Sequence, residues 1–156
     1  MDKDHHYLAQ AIWTGGAEGG TTNYRAYSRS HTVQAGNKPA LDLSADPAFR
    51  GDPAKYNPEE LLLAALSGCH MLTYLALASL KGLVVTAYED RATGTMRQQG
   101  NGGHFTEVTL HPVVTVAAGS DLALAEHLHE DAGRDCFIAA SMNFPVRHEV
   151  EIRVAE

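Results

Sequence analysis

Cysteine and the basic residues are scarce in this sequence, and each shortage excludes a class of protein. Cysteine occurs only twice in 156 residues, which is too few for a disulfide-stabilised scaffold. Lysine and arginine together number 12 against 19 acidic residues, and they form no basic cluster of the kind that binds nucleic-acid phosphates. The formal net charge of −7 therefore favours solubility rather than a nucleic-acid partner.

Long apolar runs and targeting signals are also missing from the sequence. No run of eighteen apolar residues is free of polar interruption, so we expect no membrane span. The N-terminal segment lacks the apolar stretch of a secretory signal, so we expect a cytoplasmic protein. In that reducing compartment two cysteines are typical of transient catalytic or sensing chemistry rather than of a structural cross-link.

A hydrophobic content of 44% is sufficient for a buried core, and we predict a single domain over residues 1–156. Alternation of apolar and polar residues predicts strands over 7–13, 24–33, 40–43, 84–96, 105–116 and 146–154. Together with two main helices, these strands predict an α+β fold with a mostly antiparallel sheet.

The longer helix is predicted over residues 58–80. Asn57 is a good N-cap, Pro58 suits the first helical position, and Gly82 suits the position just past the end. Nearly every face of residues 61–80 is apolar, so this helix needs neighbours on most sides. One sheet covers only one side, and we expect a second helix or a second subunit to cover the rest.

The two cysteines lie on the two predicted helices. Cys69 lies inside the longer one, and Cys136 lies near the C-terminal half of the other, which is predicted over residues 122–140 with Asp121 as its N-cap. A lone buried cysteine usually behaves as a small hydrophobic residue. The pair, with Glu59 ten residues before Cys69, instead suggests thiol chemistry.

The longer helix thus opens with Asn57-Pro-Glu-Glu-Leu61, followed by Cys69 and, on the second helix, by Cys136. In this order and spacing the motifs resemble those of the OsmC/Ohr family, the osmotically induced and organic hydroperoxide resistance proteins. His70-Met71 and Phe137-Ile138 after the two cysteines depart from the family pattern and indicate a divergent branch. The resemblance implies an OsmC-like fold and an intertwined homodimer with the long helices at its centre. It also implies a thiol-dependent peroxidase for organic hydroperoxides, and we expect neither a metal nor a cofactor.

The resemblance implies roles for individual residues as well. Cys69 matches the peroxidatic cysteine of the family, Cys136 matches the resolving cysteine, and Glu59 matches the acid that holds a catalytic arginine. For that arginine the first choice is Arg50, just ahead of the helix, and the second is Arg29 in the first hairpin. An external thiol or dithiol would reduce the resulting disulfide.

Thiol chemistry explains why a cation is needed. A free cysteine has a pKa of about 8.5, and apolar burial disfavours the thiolate further. A guanidinium beside the sulfur reverses this, and a carboxylate fixes the guanidinium. Ten helical residues rise roughly 15 Å, so one arginine can hardly touch both Glu59 and Cys69. We therefore expect the acid–arginine pair to meet the sulfur across a dimer interface, with a looped-back Arg50 as the intrachain alternative.

Two other classes of function compete with the enzyme. The first is a non-catalytic protein that binds a small ligand in the same apolar pocket, and the second is a redox sensor that uses the two cysteines. A metal site is not favoured, because His127 and His129 are two residues apart and point to different sides of a helix. We expect these two on a solvated helix face, whereas His70 packs or lines the pocket.

Overall fold

The computed structural model describes residues 2–17 and 19–156. The chain divides into two units, Met1–Leu61 and Leu62–Glu156, and the boundary falls in the first turn of the longest helix. The single domain predicted over residues 1–156 stays a prediction, and its residues 1 and 18 lie outside the described part of the chain.

The first unit contains a three-stranded antiparallel sheet in the order β1-β2-β3. Its strands are β1 (Gln10–Trp13), β2 (His31–Gln34) and β3 (Leu41–Leu43). The strand predicted over residues 24–33 is wrong in its first part, because residues 24–30 form turns and irregular backbone. There the Arg25 N–H donates to the Asn23 side chain at 2.8 Å, a local contact that competes with strand pairing.

Helix α1 spans Pro58–Leu80, as predicted. It starts with a capping box: the Glu60 N–H donates to Asn57 Oδ1 at 2.9 Å, and the Asn57 N–H donates to Glu60 Oε2 at 3.1 Å. Just past its end Gly82 has a positive φ of 73°, a conformation that glycine adopts without strain. Its buried residues recur every fourth position and form one stripe: Leu66, His70, Tyr74 and Ala78.

The other faces of α1 are half-buried or exposed. Leu72 is 65% exposed and Leu80 is 82% exposed. With a mean hydropathy of 1.8 over 18 residues, α1 could cross a membrane by length and composition alone, contrary to the sequence-based expectation. The apolar helix at the centre of a protein core meets the same criterion, so one such helix is weak evidence for a membrane.

The second unit contains two three-stranded sheets, in the orders β4-β7-β9 and β5-β6-β8. The strands are β4 (Val85–Asp90), β5 (Thr93–Gln99), β6 (Gly102–Leu110), β7 (Pro112–Val116), β8 (Val146–His148) and β9 (Glu151–Val154). The strands predicted as continuous over 84–96, 105–116 and 146–154 are each broken, and their halves enter different sheets. At one such corner the His111 N–H donates to the Asp90 carboxylate at 2.6 Å.

The strand pairing in the second unit is mixed. Strands β4 and β7 are antiparallel, as are β5 and β6, whereas β8 lies parallel to β6 and β9 lies parallel to β7. Parallel neighbours need a long crossover connection, and the helical segment between β7 and β8 supplies it. The α+β class is confirmed, and the sheets combine antiparallel and parallel pairs.

The second predicted helix, over residues 122–140, is interrupted. Its two parts are α2 (Leu122–Asp135) and α3 (Phe137–Ala140). Asp121 is the N-cap of α2, as expected. Cys136 has extended backbone (φ −72°, ψ 112°), and its Sγ accepts a hydrogen bond from the Ala139 N–H at 3.4 Å. The prediction of Cys136 within a continuous helix is therefore wrong, and this residue lies at the junction of two helices.

Two apolar clusters pack against α1 in the second unit. The larger includes Tyr74, Ala78, Leu83, Val114, Val116, Ala125, Leu128 and Ala132, from α1, α2 and the sheet around β7. The smaller is centred on Leu66, Val108 and Leu110, with Ile138 of α3 packed against it. Cys69 follows Leu66 and precedes Tyr74 on α1, so it lies on the helix between the two clusters.

Candidate active site

The two cysteines lie together in the second unit. Cys69 is half-buried on α1, Cys136 is buried at the junction of α2 and α3, and both are free thiols. The side chain of Cys69 raises the pKa of the Cys136 thiol, so the two side chains are close neighbours. The fold thus brings together the two sulfur atoms on which the predicted chemistry depends, while the role of each cysteine stays a prediction.

Cys136 is held as a neutral thiol. Burial, and then the neighbouring Cys69 side chain, raises the pKa of Cys136 to about 11, against a smaller opposing effect of the Ala139 N–H. The neighbouring Cys69 side chain thus favours the protonated form of the Cys136 thiol. At neutral pH Cys136 therefore keeps its proton and is a poor first nucleophile.

A cavity of about 410 Å³ is present in the first unit. Its lining includes the aromatic side chains of Trp13, Tyr27 and Phe49, together with Arg29 and Glu59. Largely apolar cavities of this size with a few polar groups are typical of sites for small organic ligands. The acid that was predicted from the helix motif thus shares an apolar cavity with an arginine.

The guanidinium group of Arg29 is held by aromatic rings and backbone carbonyls. Its central carbon lies 3.9 Å from the ring centroid of Tyr27 and 4.7 Å from that of Tyr24. Its two terminal nitrogens donate to the backbone carbonyls of the same two tyrosines. Stacking and hydrogen bonding together limit the motion of this cation.

Arg50, the first choice from the sequence, has a different setting. It follows the 3₁₀ turn Pro47–Phe49 with left-handed backbone (φ 67°), and its Nη2 donates to the Arg25 carbonyl at 3.5 Å. Of the two candidate arginines, both in the described part of the chain, Arg29 and not Arg50 lines the cavity with Glu59. The geometry of the first unit favours the second choice, and a catalytic role for either arginine stays a prediction.

Three histidines of the second unit form a cluster that the sequence analysis did not predict. His70 and His129 are only 1% and 2% exposed, and His70 Nε2 lies 3.0 Å from His129 Nδ1. The ring of His148 stacks on that of His70, with their centroids 4.5 Å apart. Burial lowers the pKa of His70 to about 4 and that of His129 to about 3, so both are neutral at pH 7.

The expected solvated face is correct for His127, whose side chain is 62% exposed, and wrong for His129. A signal for this was present, because His129 lies four residues after Ala125 and one after Leu128, on the apolar stripe of α2. Among residues 2–17 and 19–156, no group of three or more His, Cys, Asp or Glu side chains is arranged to hold a metal ion.

The family model for OsmC-like protein matches residues 51–151, a segment that includes Glu59 and both cysteines. The chain belongs to the OsmC-like family. An OsmC-like protein of unknown function from Vibrio cholerae has a similar structure, with a TM-score of 0.85 at 32% identity over 94% of this chain and 99% of that chain. The uncharacterized protein YmaD of Bacillus subtilis is 24% identical over 154 residues, which are 97% of this chain and 95% of YmaD.

The fold of the chain is also similar to that of more distant structures. An organic hydroperoxide resistance protein, OsmC, from Legionella pneumophila has a TM-score of 0.68 at 16% identity, over 97% of this chain and 99% of that chain. This likeness shows the fold alone. The OsmC-like fold and the divergent position within the family, both implied by the sequence resemblance, are confirmed.

Proposed function

We propose that this OsmC-like protein is a thiol-dependent peroxidase that reduces organic hydroperoxides to alcohols in the cytoplasm. The observation that carries the proposal is the proximity of the buried Cys136 thiol to the half-buried Cys69. One sulfur is thus open to a substrate, and a second, protonated sulfur lies beside it. The description of the Legionella relative as an organic hydroperoxide resistance protein also supports the proposal.

In the proposed cycle the Cys69 thiolate attacks one peroxide oxygen, the O–O bond breaks, and the alkoxide takes a proton and leaves as the alcohol. Cys69 is then a sulfenic acid. The Cys136 sulfur attacks the Cys69 sulfur, hydroxide leaves and takes the thiol proton as water, and a disulfide forms. An external dithiol reduces this disulfide by exchange and becomes oxidised itself.

The thiolate requires a cation, and the proposal assigns this role to an arginine held by Glu59. Arg29 is the better placed candidate because it shares a cavity with Glu59, while Arg50 is the alternative. Ten helical residues, or roughly 15 Å of rise, separate Glu59 from Cys69. We therefore propose a homodimer in which two α1 helices pack antiparallel and each acid–arginine pair serves the partner's sulfur. The exposed leucines of α1 support such packing.

An apolar hydroperoxide is the favoured substrate class. The cavity around Glu59 is lined mostly by apolar surface, with three aromatic rings. The smaller cluster includes Leu66, three residues before Cys69, and Ile138, two residues after Cys136, and its other members are also apolar. Such surroundings suit a hydrocarbon group better than they suit hydrogen peroxide.

The first test is a steady-state assay with tert-butyl hydroperoxide and a dithiol. We expect Cys69→Ser to lose turnover completely, because no other thiol has the required exposure. Cys136→Ser should form the sulfenic acid at the normal rate, accumulate it, and turn over at least tenfold more slowly. Turnover retained by Cys69→Ser would contradict the proposal, and unchanged turnover in Cys136→Ser would reduce that residue to a structural role.

The proposed preference for organic hydroperoxides is tested by comparing two substrates. The value of kcat/KM for cumene hydroperoxide should exceed that for hydrogen peroxide by at least tenfold. Equal values would remove the proposed preference for organic hydroperoxides while leaving the thiol mechanism intact.

A non-catalytic protein that binds a small organic ligand is the second candidate, and the aromatic cavity of the first unit favours it. Cys69→Ser separates the two functions, because it should abolish peroxide consumption and leave binding in the cavity unchanged. A redox sensor would form the same disulfide without sustained turnover in the presence of excess dithiol and hydroperoxide.

A further inference from the structure

The buried histidines join α1, which carries Cys69, to α2, which ends just before Cys136. His70 is the residue after Cys69 on α1, and His129 lies on α2, seven residues before Cys136. Their hydrogen bond of 3.0 Å links the two helices inside the core. We propose that His129, through this bond to His70, is a positioning residue that holds Cys136 against Cys69.

A second pair of contacts fixes how α1 and α2 are aligned along each other. The hydroxyl of Tyr74, one helical turn after His70, donates to the Ala125 carbonyl on α2 at 3.0 Å. The ring of Tyr74 stacks on that of His129 with a centroid distance of 4.0 Å. Two hydrogen bonds, one turn apart on each helix, thus set how α2 lies along α1, since a shift by one residue would leave buried polar atoms unpaired.

The third histidine closes the cluster from the opposite side. The ring of His148 on β8 stacks on His70 at 4.5 Å. A Cβ atom at Gly133 of α2 would lie 2.5 Å from His148 Cε1, so only glycine at this position allows the ring so close to the helix. His70 is therefore enclosed between the rings of His129 and His148, at centroid distances of 5.3 and 4.5 Å.

Packing alone does not account for imidazole at position 129. The side chain is buried to 98%, and its Nε2 has no hydrogen-bond partner among the described residues. A leucine would fill the space without that loss of solvation. The Nδ1 contact with His70 is the interaction that leucine cannot supply.

This inference deepens the proposed function, because it concerns the step in which the two sulfurs join, but its test uses no hydroperoxide. The reduced protein is equilibrated with mixtures of reduced and oxidised glutathione. Closure of the Cys69–Cys136 bond transfers two electrons and two protons to oxidised glutathione, which becomes two reduced molecules. The equilibrium constant measures how well the fold holds the two thiols together.

The variants at His129 separate the hydrogen bond from side-chain volume. His129→Leu should lower the equilibrium constant at least tenfold, which is about 30 mV for a two-electron couple. His129→Asn places an amide near the position of Nδ1 and should stay within about threefold of the wild type. His127→Leu, an exposed change on the same helix, is the matched control and should have no effect.

Equal constants for folded His129→Leu and the wild type would overturn the inference, as would equal losses in His129→Leu and His129→Asn. A wild-type protein that forms no Cys69–Cys136 bond under these conditions would overturn it too. If His129→Leu does not fold, the comparison moves to His70, which contacts His129 through Nε2. His70→Gln places an amide near Nε2 and should keep the wild-type equilibrium constant, whereas His70→Asn is too short and should lower it. If the protein shows no peroxide turnover but its variants give the expected equilibrium constants with glutathione, the proposed peroxidase function is refuted. The inference about His129 is then still supported.

Discussion

Burial keeps the clustered histidines of the second unit uncharged. It is the main cause that lowers the pKa of His70 to about 4 and that of His129 to about 3, and the neighbouring imidazoles add to it. The pKa of His148 is lowered by burial as well, while the nearby Asp90 carboxylate opposes the shift in His70 and His148. At the residue scale, therefore, the fold depends on these rings staying neutral.

This dependence predicts a loss of stability in mild acid. An unfolded histidine titrates near pH 6.5, so between pH 6.5 and 4 the unfolded chain binds protons that the folded chain does not. The contribution is fully present above pH 6.5 and is lost as the pH falls. For His70 alone the loss at pH 4 is on the order of 3 kcal/mol. Urea unfolding measured from pH 7.5 to 4.5 should show this decline.

The control for this prediction is the double variant His70→Gln/His129→Asn, which removes two titrating groups and keeps amides in their place. Its free energy of unfolding should fall less steeply with decreasing pH than that of the wild type. Carboxylates contribute equally to both proteins, so the difference isolates the histidines. Identical slopes in the two proteins would refute the assignment.

At the scale of single elements, the start of α1 is set by local hydrogen bonds. Asn57 is only 5% exposed, and it both accepts from and donates to Glu60. Asn57→Ala removes the side-chain acceptor and should lower the free energy of unfolding by about 1 kcal/mol. Asn57→Asp keeps an acceptor and should stay close to the wild type. An unchanged urea midpoint in Asn57→Ala would show that tertiary packing alone sets this end of the helix.

The break between α2 and α3 at Cys136 also belongs to the scale of single elements. Its extended backbone ends α2, and its sulfur caps α3. A continuous helix would direct the residues after position 135 along the axis of α2. The break instead places Ile138 of α3 against the cluster around Leu66. Cys136 thus owes its position to a change of chain direction between two packed helices.

At the scale of the whole molecule, α1 has apolar surface that its own chain leaves exposed. Leu72 is 65% exposed, and burying such a side chain is worth about 2 kcal/mol. If two copies of α1 pack together, Leu72→Glu should place charges in the interface and convert a dimer into a monomer. It should also abolish peroxide turnover, because each sulfur would lose the partner's acid–arginine pair.

Sedimentation velocity of the wild type and Leu72→Glu tests this prediction directly. Leu122→Glu is the matched control, since Leu122 is also exposed, at 46%, but lies at the start of α2. It should remain dimeric and active. A monomeric wild-type protein, or a dimeric Leu72→Glu variant with normal turnover, would contradict the proposed arrangement.

The sequence was sufficient to predict those features that depend on residues close together in the chain. The bounds of α1 follow from Asn57 and Gly82, because capping bonds and backbone sterics act within a few residues. The family motif with its two cysteines was also readable from the sequence. The breaks near Ala92 and His111 were not, because a strand changes sheets according to which partner strand lies beside it.

The sequence by itself determined the α+β class, the family and the thiol pair, since these depend on periodicity, helix signals and residue spacing. Only the tertiary structure decided that His129 is buried against His70, that Cys136 lies between two helices, and that Arg29 shares a cavity with Glu59. Each of these contacts joins residues distant in the chain. Burial and hydrogen bonding between such residues arise only when separate elements pack.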